Sequence, residues 1–344
     1  MIDLRSDTVT LPSKKMMQYL MGSSFGDDVY QEDPCVNALE KDVAKLFGKE
    51  KALFVTSGTM ANLVSVLTHC QRGEEILLGD KSHIFKYEVG GISSFGGIHS
   101  HQIKNNDDGT IDIDNIKNNI RNESDIHFPK TKLLCLENTH NLCFGAPLKN
   151  SYTESVKKVL NKNKIKLHID GARIFNASIA LKRSLKELGK YADSITCCLS
   201  KGLGAPAGSL IVSDEHFIHR ARKLRKALGG GMRQVGVLAS CGHFAINNMF
   251  ERLQNDHDNA KNLAEKLNNI KEIDIDLQKI YTNLIFFHLN ASKITDESFI
   301  KELLNYKIKI DYKGNRRFRM VTHCNFNEKN ISKVITVIKK ILNK

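Results

Sequence analysis

A lysine and an aspartate stand at the ends of two β-rich runs, where their side chains could do covalent chemistry. Lys201 follows the apolar run 195–199, Asp170 follows the run 165–169, and a glycine comes directly after each charge. A buried strand ends on a carboxylate only where a cation or donor satisfies it, and a pyridinium nitrogen is such a partner. A strand-end lysine is the natural Schiff-base nucleophile for an aldehyde on the same ring. Each residue alone is typical of an ordinary turn, so the pair carries the prediction of a pyridoxal 5'-phosphate (PLP) site.

Two further stretches carry groups that bind anions. Ser57, Gly58 and Thr59 lie between a β-rich run and a helical pattern, so their N–H and hydroxyl groups would face a phosphate at a helix N-terminus. A plain Ser/Thr helix cap is the alternative interpretation. Three glycines at 229–231 precede Arg233 and would let its guanidinium approach a phosphate closely, unless the stretch is only a flexible linker.

Two histidines and one arginine complete the set of candidates. His83 follows the β-rich run 76–78, where an aromatic ring could stack on a cofactor, and His127 stands just ahead of another strand. Either imidazole could act as a base, because it titrates near working pH, although a lone histidine is usually structural. Arg319 lies inside an apolar run, where an unpaired guanidinium is costly and a substrate carboxylate would justify it.

The elements between these residues predict an α/β protein. Short β-rich runs alternate with helical patterns up to about residue 245, which favours a mostly parallel sheet with ligands at the carboxyl ends of its strands. Residues 1–245 are predicted to form this large domain and residues 246–344 a smaller α+β domain. Asp33 and Pro34 predict a helix start, and the polar arm before them is expected to be neither strand nor helix, covering a subunit interface or the mouth of the site.

Composition excludes several classes of protein. The 344 residues are 41% hydrophobic and 26% charged, as in ordinary globular proteins, and no run reaches the roughly 18 apolar residues of a membrane span. The net charge of +13 invites a nucleic-acid interpretation, but the lysines are scattered along the chain without interleaved aromatic residues. Eight cysteines without CxxC spacing, and no visible secretory signal, predict a cytoplasmic protein.

Together these motifs resemble the low-specificity L-threonine aldolases, which are fold-type I PLP enzymes. The similarity runs in order from residue 3 to about residue 325. It covers residues 3–10, 26–34, 57–60, 82–84, 137–141, 168–177, 199–204 and 229–234. Eight motifs in order are far more specific than any one of them. One departure is the stretch 142–147, which is more apolar than the glycine-rich, basic turn expected there, so the substrate side-chain preference could differ.

The resemblance implies a mostly parallel seven-stranded sheet with helices on both faces and assigns roles to individual residues. Lys201 would form the Schiff base with PLP, and Asp170 would pair with the ring nitrogen. The other implied PLP-site residues are Ser57, Gly58 and Thr59 at the phosphate, His83 stacked on the ring, and Arg173. Ser6, Arg173 and Arg319 would bind the substrate carboxylate. Lys226 and Arg233 would reach the phosphate of a neighbouring subunit, so the active unit would be at least a homodimer and typically a homotetramer.

The implied reaction is retro-aldol cleavage of L-threonine or L-allo-threonine to glycine and acetaldehyde, which would serve threonine catabolism and glycine biosynthesis. His83 and His127 are the candidates for the base that takes the β-hydroxyl proton. The alternatives are another PLP-dependent β-eliminating lyase or aminotransferase, since Lys201 and Asp170 do not separate these reactions, and a basic nucleic-acid-binding protein. No metal site, membrane contact or nucleic-acid partner is predicted.

Overall fold

The computed structural model describes residues 1–343, and a large sheet organises most of them. The strands are β1 (Ile2–Asp3), β2 (Lys51–Val55), β3 (Glu75–Gly79), β4 (His99–Ile103), β5 (Thr131–Glu137), β6 (Lys166–Gly171), β7 (Ser194–Cys198), β8 (Ser209–Ser213), β9 (Ile273–Asp274), β10 (Leu284–Leu289), β11 (Ile308–Lys309), β12 (Asp311–Tyr312) and β13 (Arg317–Val321). The helices are α1 (Lys14–Met21), α2 (Pro34–Phe47), α3 (Gly58–His69), α4 (His83–Lys86), α5 (Gly91–Gly96), α6 (Ile113–Asn118), α7 (Asn150–Lys162), α8 (Ile174–Leu181), α9 (Leu185–Leu188), α10 (Glu215–Ala227), α11 (Gly236–Met249), α12 (Leu253–Asn268), α13 (Asp296–Asn305) and α14 (Glu328–Leu342).

The large sheet has seven strands in the order β2, β8, β7, β6, β5, β3, β4. Neighbouring strands from β7 to β4 are parallel, whereas β8 runs antiparallel to both β7 and β2. Six strands therefore end at one side of the sheet, which we call the carboxyl edge. Helices α2, α7, α8 and α11 pack on one face, and α3, α5 and α10 pack on the other. The predicted α/β class and mostly parallel seven-stranded sheet are confirmed.

Helix α2 shows how local sequence sets an element. The Asp33 carboxylate accepts hydrogen bonds from the backbone N–H groups of Cys35 and Val36, and Pro34 occupies the first helical position. At the other end Gly48 has φ 61°, a left-handed conformation that glycine adopts without steric cost. The helix start predicted from sequence is present.

The C-terminal part forms a second layer structure. Strands β12, β13, β10 and β9 make an antiparallel sheet, and α12, α13 and α14 contribute to its apolar core. Ile2 and Leu4 belong to this second core, whereas Ile246 and Leu253 belong to the first. The division at residue 246 remains a proposal, and Lys344 at its end lies outside the described residues.

The N-terminal arm differs from the expectation that it has no regular structure. Strand β1 pairs in parallel with β11 of the C-terminal part, and helix α1 begins after Ser13, whose hydroxyl accepts a hydrogen bond from the Met16 N–H group. The strand has two residues, too few to show a period in the sequence, and its pairing partner lies about 300 residues away. No local pattern could therefore predict it. Among residues 1–343 no helix combines the length and the apolar character needed to cross a bilayer.

Candidate active site

Lys201 and Asp170 emerge from neighbouring strands at the carboxyl edge. Asp170 in β6 pairs with Thr196 in the parallel strand β7, and Lys201 follows three residues after β7 ends. The Asp170 carboxylate is 2% exposed and accepts hydrogen bonds from Asn62 Nδ2 at 2.9 Å and from the Ala172 N–H at 3.0 Å. Lys201 Nζ lies 3.6 Å from Cys198 Sγ. A nucleophilic amine and an anchored carboxylate thus share one side of the sheet.

The turn between β2 and α3 reaches the same place. Ser57 caps α3, its hydroxyl accepting a hydrogen bond from the Met60 N–H group at 3.2 Å, and the helix N–H groups before Met60 have no acceptor within the helix. A Cβ on Gly58 would lie 2.8 Å from Cys198 Sγ. The absence of a side chain at Gly58 therefore lets the helix start pack against the strand that leads to Lys201. This is a suitable position for a phosphate.

His83 lies beside the Asp170 carboxylate. Its backbone N–H donates to Glu137 Oε2 and its Nδ1 donates to Glu88 Oε1, both at 2.8 Å. Burial acts to lower the pKa of His83, but the hydrogen bond to Glu88 and the charge of Asp170 outweigh it and raise the pKa. Burial, with the nearby Asp170 charge, also raises the pKa of Glu88.

The groups of His83, Glu88 and Asp170 also have the types found in metal sites. One ligand atom from each lies within 4.8 Å of the others. However, the Asn62 amide already donates to both carboxylates, at 2.7 Å to Glu88 and 2.9 Å to Asp170. A pyridinium ring fits this set because Lys201 and an anion-binding helix start lie at the same edge of the sheet, which a bare metal ion would not require.

Two arginines approach the site from different parts of the fold. Arg173 binds the buried carboxylate of Asp7 through Nε at 2.8 Å and Nη2 at 2.7 Å. Burial acts to raise the pKa of Asp7, but the Arg173 cation lowers it to about 2. Ser6 caps the short 3-10 turn that begins at Asp7, and its hydroxyl accepts a hydrogen bond from the Thr8 N–H group. The arm therefore contributes directly to the surroundings of Arg173.

Arg319 comes from the C-terminal sheet, and it and Arg173 both bond the side chain of Asn141. The Oδ1 atom of Asn141 accepts hydrogen bonds from Arg319 Nη1 at 2.6 Å and from Arg173 Nη1 at 3.4 Å. Arg319 Nη2 pairs with Asp311 at 2.7 Å, but its buried Nε has no partner among the described residues. An unsatisfied buried N–H on a guanidinium group that lies close to a second one is suited to an incoming carboxylate.

The apolar stretch 142–147 follows Asn141 and anchors it. Phe144 packs edge-on against Phe286 of the C-terminal sheet, with ring centroids 5.2 Å apart, and the Arg317 guanidinium lies 5.0 Å from its ring centre. Cys143 is completely buried. The departure from the expected glycine-rich turn is thus a packing contact that fixes the position of Asn141.

Arg233 and Lys226 are placed on the outside of the chain. Arg233 pairs with Asp27 at 3.0 Å and its side chain is 55% exposed, and Lys226 is exposed in the last turn of α10. The glycine loop before Arg233 lies against the first turn of α3, since a Cβ on Gly230 would lie 2.5 Å from Met60 Sδ.

The structure does not bring His127 to the site of its own chain, which corrects its assignment as a base there. Its side chain is 81% exposed and bonds only Asp125 in the same loop, 2.8 Å away. The loop enters β5 at Thr131, and the seven residues of β5 separate it from the carboxyl edge by about 20 Å at ~3.3 Å per residue. Preceding a strand places a residue at the opposite edge from one that follows a strand.

Sequence reasoning missed several residues that hold the predicted ones. Asp7, Asn62, Glu88, Glu137 and Asn141 are all buried and bond Arg173, Asp170 or His83. Only Asn62 had a signal of its own, because an amide on the apolar face of an amphipathic helix calls for a buried partner.

Comparisons with known proteins identify relatives of this chain. Residues 3–291 match the family model described as β-eliminating lyase. The chain is 47% identical over 325 residues to low-specificity L-threonine aldolase 1 of Arabidopsis thaliana, covering 94% of this chain and 91% of that one. It is 44% identical over 337 residues to the low specificity L-threonine aldolase of Escherichia coli K12, covering 97% of each. The structure of Leishmania major threonine aldolase superposes with a TM-score of 0.83, covering 99% and 100% of the chains at 19% identity, which shows the shared fold.

Proposed function

The chain belongs to the β-eliminating lyase family and, within it, to the low-specificity L-threonine aldolases, and from this premise we propose how its residues perform the reaction. The protein is a PLP-dependent lyase that cleaves the Cα–Cβ bond of a β-hydroxy-α-amino acid such as L-threonine, giving glycine and acetaldehyde. The observation that supports the residue roles is the meeting of Lys201, Asp170 and the α3 N-terminus at the carboxyl edge.

The cofactor is held by groups from three strand ends. Lys201 would supply the amine for the Schiff base, Asp170 would accept a hydrogen bond from the protonated ring nitrogen, and Ser57, Gly58 and Thr59 would hold the phosphate. When bound, PLP supplies the electron sink that bond cleavage at Cα requires. Because Asp170 is buried and already has two hydrogen-bond donors, its carboxylate is fixed in direction before the ring arrives.

The substrate carboxylate binds between Arg173 and Arg319, with Ser6 beside them. Arg319 Nε has no hydrogen-bond partner among the described residues, and Asn141 Oδ1 accepts hydrogen bonds from both guanidinium groups. Two fixed cations hold the carboxylate and so orient the α-carbon. Binding at the carboxylate, away from the reacting atoms, therefore aligns the Cα–Cβ bond for cleavage.

His83 is the proposed base for the β-hydroxyl group. Donation from its Nδ1 to Glu88 fixes the tautomer, which leaves Nε2 as the acceptor of the substrate proton. The raised pKa of this imidazole makes it a stronger base, and the buried Glu88 stabilises the imidazolium that forms.

The assembly and the compartment are further proposals. The exposed cations Lys226 and Arg233 support contact with the phosphate of a neighbouring subunit, so we propose a homodimer as the minimum active unit and a homotetramer as the full assembly. All eight cysteines are unpaired and six are buried, which supports a reducing compartment such as the cytoplasm.

Products of the purified protein test the reaction. Incubation with L-threonine should give glycine and acetaldehyde in equal amounts. Release of 2-oxobutanoate and ammonia would instead identify a β-eliminating lyase. Lys201→Ala should abolish both products and the Schiff-base absorption, whereas Lys329→Ala, an exposed change in the first turn of α14, should leave both intact. Full activity of Lys201→Ala would overturn the assignment.

A further inference from the structure

A chain of hydrogen bonds runs between α3 and the large sheet, from Asp170 at the carboxyl edge to the opposite edge of the sheet. Asn62 Nδ2 lies 2.9 Å from Asp170 Oδ2, and Asn62 Oδ1 lies 3.2 Å from His168 Nε2. His168 Nδ1 lies 2.8 Å from Ser194 Oγ, which lies 2.7 Å from His69 Nε2. Asn62 and His69 stand near the two ends of α3, while His168 and Ser194 face that helix from β6 and β7.

The donors in this chain can be assigned an order. Asn62 Nδ2 faces the carboxylates of Glu88 and Asp170, which accept hydrogen bonds, so Asn62 Oδ1 must accept from His168 Nε2. A neutral imidazole that donates from Nε2 accepts at Nδ1, and there the Ser194 hydroxyl is the donor. The Ser194 oxygen then accepts from His69 Nε2. Every donor points toward Asp170.

Burial keeps this order fixed. His168 and Ser194 have no exposed surface, and Asn62 is 2% exposed. Burial lowers the pKa of His168 to about 4 and that of His69 to about 3, so both rings are neutral at working pH. Neutral donors aligned in one direction polarise one another and stabilise the charge at the end of the chain, without adding a cation that would compete for Asp170.

One amide also connects the carboxylate proposed for the ring nitrogen with the carboxylate that holds the proposed base. Asn62 Nδ2 donates to Asp170 and, at 2.7 Å, to Glu88, which in turn holds His83 Nδ1 at 2.8 Å. A rotation of the Asn62 amide would release both carboxylates together. His168 and Thr196 prevent that rotation because both bond Asn62 Oδ1, the hydroxyl of Thr196 at 3.0 Å.

We infer that Asn62, His168 and Ser194 are positioning residues, which hold Asp170 as an oriented anion for the ring nitrogen of PLP and hold His83 through Glu88. The inference rests on the proposed function for the identity of the ring. None of the three residues needs to touch the cofactor. Their effect should therefore be seen in cofactor affinity and in the protonation of the ring, rather than in substrate binding.

Two buried serines provide a matched pair for the test. Ser194→Ala breaks the chain, whereas Ser65→Ala removes an equally buried hydroxyl of α3 that has no hydrogen-bond partner among the described residues. We expect Ser194→Ala to raise the PLP dissociation constant and lower kcat by about 10-fold each, as loss of an outer-shell partner does at metal sites, with KM for threonine unchanged. Ser65→Ala should match the wild type in all three quantities. Equal PLP affinity in the two variants would overturn the inference.

A second pair separates the donor from the bulk of the imidazole. Gln at position 168 can place a donor where Nε2 stands, and Asn cannot reach Asn62. His168→Gln should therefore retain cofactor affinity better than His168→Asn. Equal loss in both would show a merely structural role.

A measurement without cofactor keeps the test independent of activity. In the PLP-free wild type, nitrogen NMR should show His168 as the neutral Nε2–H tautomer from pH 6 to 8, and Ser194→Ala should disturb it. A charged His168, or the Nδ1–H tautomer, would contradict the inference. Wild type that binds PLP but fails to cleave threonine would refute the proposed function while leaving this result standing.

Discussion

The guanidinium of Arg173 is joined to the carboxylate of Asp7 by two hydrogen bonds of 2.7 and 2.8 Å, although the residues are 166 positions apart. Both side chains are buried. This pair ties the N-terminal arm to the proposed substrate site, because Asp7 uses two of the five N–H donors of Arg173 and leaves the others for Asn141 and for a ligand.

Removing the charge of Asp7 should destabilise the protein. In Asp7→Asn the Arg173 cation stays buried without a counter-charge, so we expect the free energy of unfolding to fall by about 3 kcal/mol. Urea denaturation at pH 7 measures the change. Asp3→Asn is the control, since Asp3 pairs with a half-exposed Arg5 and should lose less than about 1 kcal/mol. Equal losses in both variants would contradict the importance of the buried pair.

The buried histidines make stability depend on pH in a defined window. The pKa values of His168 and His69, about 4 and about 3 in the folded protein, lie below the unfolded value near 6.5. The unfolded state therefore binds more protons in this window, and the stability that these groups contribute above pH 6.5 is lost as pH falls toward 4.

The difference between variants measures this effect. His69→Gln should flatten the pH dependence of unfolding free energy between pH 6 and 4 by up to about 1.4 kcal/mol per pH unit. The wild-type slope alone is not diagnostic, because burial raises the pKa of Asp256 to about 6, and its linkage has the opposite sign. An unchanged slope in His69→Gln would show that this ring already carries a proton when folded.

Arg319 should matter for substrate and little for cofactor. Loss of a charge-assisted hydrogen bond in Arg319→Ala should raise KM for L-threonine by about 10- to 100-fold. Arg319→Lys keeps the charge but loses the fork, so its KM should lie between those of Arg319→Ala and the wild type. Arg183→Ala, at an exposed ion pair, should leave KM unchanged. A PLP dissociation constant raised as much as KM would place Arg319 in the cofactor site instead.

His83 and His127 should behave differently when replaced by phenylalanine. His83→Phe keeps a ring that can stack but removes the base, so kcat should fall by about 10²- to 10⁴-fold with PLP retained. His127→Phe should leave PLP affinity and unfolding free energy unchanged, because this side chain is exposed at the opposite edge. Loss of PLP affinity in His127→Phe would contradict its placement.

Gly58 offers a test of the contact between α3 and β7. Gly58→Ala would place a methyl group 2.8 Å from Cys198 Sγ. Overpacking of this kind costs ~1–3 kcal/mol, and we expect the start of α3 to move away from β7 to relieve the clash. PLP affinity should then fall by about 10-fold. Adding Cys198→Ala, with Cys198→Ala alone as the control, should restore most of it. Failure of the double variant to recover would mean that Gly58 acts through backbone conformation.

The sequence was informative wherever local pattern and strand direction decide the outcome. Lys201, Asp170 and Ser57 each follow a β-rich run, and the carboxyl ends of strands in such a sheet share an edge. The same logic places His127, which precedes a strand, at the opposite edge, where its side chain is exposed. Strand β4 was missed because its sequence, His99–Ile103, is polar and mostly half-exposed at the sheet edge. Asp7 and Glu88 could not be paired with their partners because contacts across long sequence distances leave no local signal.

The short link between β1 and Asp7 has a mechanical consequence. Asp3 is fixed to the C-terminal part through β11, and Asp7 is bound to Arg173, which follows β6 at the carboxyl edge of the large sheet. Four residues of chain span at most about 14 Å even when fully extended. The two parts of the molecule can thus move apart only a little before these four residues are fully extended. This limits how wide the cleft between them opens and transmits any such movement to the guanidinium proposed to bind the substrate carboxylate.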